Sequence, residues 1–126
     1  MKGLLLDTHA LIWFISDPSM LIESTYEIIT DPSRDVYLSA AAIWEISIKR
    51  ALGRLEIPDN LLSILEDNKI EVLDITGSHA LGVASLPLIH QDPFDRMQIV
   101  QAQKENLIFV TRDKKVKKYQ VEILDC

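Results

Sequence analysis

Leu4-Leu5-Leu6-Asp7-Thr8-His9-Ala10 is the stretch from which the fold is read. Three successive leucines ended by a carboxylate predict a short strand buried on both faces, because a strand with one wet face would alternate apolar and polar side chains. Thr8 to Ile15 then reads as a helix, so Asp7 marks a strand-to-helix junction. The pattern recurs. Val36-Tyr37-Leu38 is a second strand, and Ser39 caps a helix from Ala40 to about Leu52 that Gly53 ends. Ile70 to Leu73, Leu107 to Thr111 and Val121 to Leu124 supply three more strands. Further helices are predicted from a Ser19 cap to about Thr30, from Pro58-Asp59 to about Asn68, over about Gly77 to Ala84, and from Pro93 to near Asn106. Leu86 to Asp92 is left as a connection. Strands alternating with helices predict an α/β protein with a mostly parallel sheet of about five strands, covered on both sides.

The totals agree with one compact domain over residues 1–126. Apolar residues make up 48% and charged residues 25%, a balance that excludes a disordered or low-complexity chain. The single cysteine, Cys126, excludes an intrachain disulfide and points to a reducing compartment. Asp7 interrupts the leucines too early for a signal-peptide core or a membrane span, so a cytoplasmic location without membrane attachment is expected. A net charge of −6 argues against binding nucleic acid by general attraction to phosphates. That objection weakens if carboxylates are occupied by a divalent cation. Positive charge is also concentrated, in Arg112, Lys114, Lys115, Lys117 and Lys118, which reads either as a solvated run or as a phosphate-contacting patch.

Four acids, Asp7, Glu45, Asp95 and Asp113, fall where a strand stops or a helix has just begun. In an open parallel sheet those places meet at the carboxyl edge, so the expected product is one carboxylate cluster that requires a cation. Each acid also has a plainer reading. Asp7 suits a helix N-cap, and Asp113 suits a turn. Asp92 is the natural N-cap before Pro93, which leaves Asp95, at the third helical position, as the better ligand. Glu45 is too deep in its helix to cap it. It shares a face with Ala41, Ile48 and Leu52, and a carboxylate buried there without a partner would cost several kcal/mol. Lys49 is the one base within reach and is placed at the ridge's edge.

Other chemistries find less support. His9, His79 and His90 lack a helical ligand spacing, and with one cysteine a zinc site is not expected. There is no Gly-rich phosphate loop and no Gly-x-Ser-x-Gly elbow. A strand-terminal Asp also opens phosphatases of the haloacid dehalogenase type, but those need a second Asp two residues on, where this chain has His9. Trp13, Phe14 and Trp44 read as core residues.

Four blocks in order carry a family resemblance: Leu4-Leu5-Leu6-Asp7-Thr8-His9-Ala10-Leu11-Ile12-Trp13, Ser39-Ala40-Ala41-Ala42-Ile43-Trp44-Glu45-Ile46, His90-Gln91-Asp92-Pro93-Phe94-Asp95-Arg96, and Phe109-Val110-Thr111-Arg112-Asp113. They resemble PIN-domain proteins, most nearly the VapC-type toxins of bacterial and archaeal toxin–antitoxin pairs, across nearly the whole chain. The resemblance implies a three-layer α/β/α fold and a Mg²⁺- or Mn²⁺-dependent ribonuclease with acidic ligands at Asp7, Glu45, Asp95 and Asp113. It places Thr111 within the site and Arg96 directly after a ligand. Gln91 departs from the family's usual His-Arg-Asp-Pro, which puts one RNA contact in doubt.

On this reading Asp7, Glu45 and Asp95 hold the principal ion, Asp113 supports it or a second one, and Thr8, Arg96, Thr111, Arg112, Lys114 and Lys115 support the site or contact RNA. An RNA substrate, a cognate antitoxin and a homodimer are expected. Two rivals make different predictions. Cleavage through the RNA's own 2′-hydroxyl with His9 or His90 as acid and base would resist chelators, and a non-catalytic scaffold would act unchanged after Asp7→Asn.

Overall fold

The computed structural model describes residues 1–126 and contains five parallel strands and six α-helices. In chain order these are β1 (Leu4–Leu6), α1 (Thr8–Ser16), α2 (Glu23–Ile29), β2 (Val36–Ser39), α3 (Ala40–Ala51), α4 (Leu61–Asp67), β3 (Ile70–Leu73), α5 (Gly77–Gly82), α6 (Pro93–Lys104), β4 (Ile108–Val110) and β5 (Ile123–Leu124). The strands lie in the order β3-β2-β1-β4-β5, so β1 is central. Leu4, Leu5 and Leu6 are wholly buried, as a strand covered on both faces demands.

Alternation along the strands sorts the core into two layers. Leu4, Leu6, Leu38 and Val110 face a cluster that includes Ala10 and Phe14 of α1, Ile29 of α2, Ala42 and Ile46 of α3, and Leu61 and Leu65 of α4. Leu5 and Phe109 face the other way, onto Ile99, Val100 and Ala102 of α6. The result is a three-layer α/β/α sandwich. The chain winds outward from β1 to β3 with α1 to α4 on one face, then crosses back over the opposite face through α5 and α6 to reach β4. The winding therefore reverses between β1 and β4. At such a reversal the loops leaving adjacent strand ends diverge to opposite faces and open a crevice.

Several predicted boundaries shift for local reasons. Ser19 does not cap α2, because Pro18–Met20 forms a separate 3-10 turn, the Ser19 hydroxyl bonds Asp17, and Leu21 is extended. Helix α4 starts at Leu61 rather than at Pro58, and β5 shrinks to two residues. Gly53 behaves as predicted. Its φ of +69° places it in the left-handed region, and Arg54 N–H closes back onto Lys49 C=O to finish α3. Phe14 is buried and Trp13 half-buried, but Trp44 is 60% exposed, which overturns its reading as core. No helix is long and apolar enough to cross a membrane.

Candidate metal centre

Sheet register puts the first carboxylate at the crevice. Leu6 pairs with Leu38 on one side and Val110 on the other, so Asp7, Ser39 and Thr111 come next on three adjacent strands. Asp7 is 8% exposed and does two things. Its Oδ1 accepts the Ala10 N–H at 2.6 Å as the N-cap of α1, and its Oδ2 accepts the Thr111 hydroxyl at 2.5 Å. Capping and site membership are thus compatible, since each oxygen serves one of them. Burial pushes the Asp7 acid above the usual carboxylate range, against the lowering effect of those two hydrogen bonds, while the Asp113 charge adds to the rise.

Glu45 arrives from α3 and is 4% exposed. Thr8 Oγ1 donates to its Oε1 at 2.7 Å, and Lys49 Nζ to its Oε2 at 2.8 Å. The expectation that Lys49 stands aside is corrected, because one helical turn brings the ammonium onto the carboxylate. The supposed apolar ridge is also split. Ala41 is buried, whereas Ile48 and Leu52 are exposed, so Glu45 lies at the boundary where the helix passes from the core into the cleft.

Helix α6 brings Asp95. Asp92 caps the helix as predicted, its Oδ1 accepting the Phe94 and Asp95 amides. That leaves the Asp95 side chain free of capping duty in the first turn. Its pKa is pushed up to about 7, first by burial and then by the charges of Asp92, Glu45 and Asp7, with His90 pulling the other way. Asp95 therefore lies in the field of three other carboxylates in the folded chain. Asp113, at the exit of β4, is held below the usual range: burial raises it, but the Lys115 amide and His90 outweigh that effect.

His90 is the participant that the spacing of histidines did not expose. Its Nε2 lies 3.0 Å from Asp95 Oδ2 and 2.8 Å from Asp113 Oδ2, and one donor atom from each of these three residues falls within 4.8 Å of the others. The signal available in the sequence was the run from His90 to Asp95. Its three-dimensional meaning depends on a loop without periodicity.

The predicted supporting residues divide. Thr8 and Thr111 are in the site. Arg96 takes the supporting role of the two expected for it: it is 8% exposed, and its guanidinium donates to the carbonyls of Val83, Leu86, Pro87 and His90. A planar fork of fixed N–H donors suits that task, and the 83–90 connection is wrapped around it. Arg112 is likewise engaged. It lies 4.0 Å from the Trp13 ring centroid and donates to the carbonyls of Met20 and Cys126, so it braces the C-terminal segment. Lys114 and Lys115 remain exposed beside Asp113.

The donor set fits a hard divalent cation, because carboxylate oxygens dominate it and Asp95 stays protonated up to near neutral pH unless positive charge is supplied. A parallel three-layer sheet with buried carboxylates at its winding reversal defines the class: an α/β protein with an acidic centre at the strand ends. The chain belongs to the PIN domain family, which it matches over residues 4–122. Similar solved structures include DNA-bound VapBC from Salmonella typhimurium (TM-score 0.70, 22% identity, 99% of this chain and 98% of that one) and VapBC2 from Rickettsia felis bound to a promoter DNA fragment (0.73, 14%, 97% of each). FitAcB from Neisseria gonorrhoeae is also similar (0.60, 19%, 96% of each). No curated protein sequence matches significantly.

Proposed function

We propose that this chain is a divalent-metal-dependent endoribonuclease, a single PIN domain over residues 1–126 that serves as the toxin of a type II toxin–antitoxin pair in the cytoplasm. The observation that carries this reading is the gathering of acids at the winding reversal: buried Asp7 and Glu45, Asp113 linked to Asp7 through Thr111, and Asp95 and Asp113 both against His90. An anionic pocket of that kind is electrostatically incomplete by itself.

Asp7, Glu45, Asp95 and Asp113 would hold Mg²⁺ or Mn²⁺. When bound, the ion supplies an activated water and stabilises charge developing on the scissile phosphate. The chain's residues do the rest. Thr111 and Thr8 fix the Asp7 and Glu45 oxygens by donating to them, which keeps two lone-pair directions constant. A proton acceptor for that water must be open to substrate, and the Asp113 side chain is 36% exposed against 6% for Glu45, so Asp113 suits that task and Glu45 does not. Lys114 and Lys115, exposed directly after it, would attract the RNA backbone toward a chain whose net charge of −6 otherwise repels it.

The partner follows from the assemblies that the similar structures represent, and an antitoxin segment bearing a cationic side chain would complement the acidic cleft. A homodimer belongs to the same reading. The surface that needs cover is the α3 stripe of Trp44, Ile48 and Leu52, which continues into an apolar hollow of about 290 Å³ lined by Ala41, Ile75, Val83, Phe94 and Met97.

The test is incubation of purified protein with total RNA, with and without Mn²⁺ and chelator, followed by mapping of the cut ends. Cleavage that needs the metal, leaves 5′-phosphates and disappears in folded Asp7→Asn and Asp95→Asn proteins is expected. Chelator-resistant cleavage leaving cyclic phosphates, or RNA retention without cleavage, would overturn the assignment.

A further inference from the structure

The imidazole of His90 is held on every side. Its backbone N–H donates to Tyr119 Oη at 2.7 Å, and its carbonyl accepts from Arg96 at 3.2 Å. Tyr119 Oη donates in turn to Pro87 C=O, so the loop is already secured by two side chains that hydrogen-bond to backbone atoms and not to the His90 ring. The ring is therefore not needed to hold the loop in place. Its two nitrogens point to a different task.

Nδ1 lies 3.2 Å from the Asp92 amide, a group that can only donate. An accepting Nδ1 must present its lone pair, which assigns the ring proton to Nε2. That Nε2–H donates to Asp113 Oδ2 at 2.8 Å, and Asp95 Oδ2 lies 3.0 Å from the same nitrogen, off the hydrogen-bond direction. A nitrogen whose proton is committed to a carboxylate has no lone pair to offer a cation there. The same amide belongs to Asp92, which caps α6 and fixes the Asp95 backbone, so the ring and Asp95 share one mount.

We propose that His90 is a positioning residue that donates from Nε2 to Asp113 while keeping Asp95 in close polar contact with the same nitrogen, setting the separation of a carboxylate on α6 from one after β4 without ligating the ion itself. This rests on the metal-dependent reading above. Without such a crossbar the two carboxyl groups would be free to part, and the ligand set would have to be reassembled each time a cation entered. Hydrogen bonds from outside the ligand shell orient ligating carboxylates in this way, and losing one typically costs 10–100-fold in metal affinity.

Three measurements test it. Nitrogen-15 chemical shifts of the metal-free protein should report the Nε2–H tautomer of His90; an Nδ1–H tautomer overturns the proposal without any variant. Calorimetric titration with Mn²⁺ should show His90→Ala weakened by roughly 10–100-fold. His90→Gln, whose amide can both accept from Asp92 and donate to the carboxylates, should stay within a few-fold of wild type. Equal affinity of wild type and His90→Ala overturns the inference alone, whereas a wild type that takes up no Mn²⁺ overturns the metal reading and this inference with it. Pulsed electron paramagnetic resonance of the Mn²⁺ protein should lack strong coupling to an imidazole nitrogen. Coupling that vanishes in His90→Gln would make His90 a ligand and overturn the proposal.

Discussion

Thr111 Oγ1 donates to Asp7 Oδ2 at 2.5 Å, joining residues 104 apart in sequence, and accepts the Asp113 amide at 3.1 Å. One hydroxyl thereby links the acid after β1 to the acid after β4. Thr111→Val keeps the shape and removes the link. It should raise the Asp7 pKa further, cost about 1–3 kcal/mol by leaving a buried acceptor unpaired, and lower cleavage; Thr111→Ser should restore most of both. Urea unfolding and RNA cleavage on the two variants check this.

The Lys49 ammonium neutralises Glu45 across one helical turn. Removing it in Lys49→Met should destabilise the metal-free protein by about 1 kcal/mol, the upper range for a partly exposed pair. Saturating Mn²⁺ should shrink that loss, because the same carboxylate then has another cation. Thermal melts with and without Mn²⁺ read the difference, and an equal loss in both would separate Glu45 from the ion.

Asp95 sets a pH dependence. Its folded pKa of about 7 lies above the ordinary aspartate value of 3.8, so the folded state holds a proton that the unfolded chain has released. The corresponding stability is fully present below about pH 4 and is lost as the pH rises to about 7. Asp7 acts in the same direction. Asp113, with a lowered pKa, acts oppositely, and its contribution disappears only as the pH falls below the ordinary carboxylate range. Metal-free protein should therefore lose stability between pH 4 and 7, while apparent Mn²⁺ affinity climbs over the upper part of that window as the proton is displaced. Denaturant midpoints across the range, with chelator present, are the measurement.

Arg96→Lys tests whether that residue acts as an internal brace or as an RNA contact. An ammonium cannot reach four carbonyls arranged around a planar fork, so about 2–4 kcal/mol of stability should be lost. RNA binding by the fraction that remains folded should be little changed. A stable variant with weakened RNA affinity would return Arg96 to the interface.

Trp44→Ser removes the largest exposed apolar side chain from the α3 stripe. Sedimentation velocity should show a shift from dimer toward monomer, with the monomer's helix content intact. A dimer of unchanged strength would move the interface elsewhere.

The strand-terminal positions of Asp7 and Asp113 were legible because an apolar run ending at a polar residue is a local pattern, and so was the α/β alternation. Asp95 could be separated from Asp92 by counting from Pro93. What escaped was set by distant contacts. His90 lies in a segment with no period, and its orientation comes from Tyr119, Arg96 and the Asp92 amide. Three of the four carbonyls that claim Arg96, those of Leu86, Pro87 and His90, lie in that same connection, which sequence leaves shapeless, and the fourth belongs to Val83 just after α5. Trp44 misled for a related reason: helical spacing shows which residues share a face but not whether anything covers it.

Glu45 belongs to a helix packed with the Leu4 and Leu6 side of the sheet, and Asp95 to one packed with the Leu5 side. A cation gripping both would act as a rivet through the sandwich, fastening its two outer slabs at a seam where no backbone hydrogen bond joins them. Loading with Mn²⁺ should then slow amide exchange along α3 and α6 as far as their distal turns, well outside the range of the ion's own field.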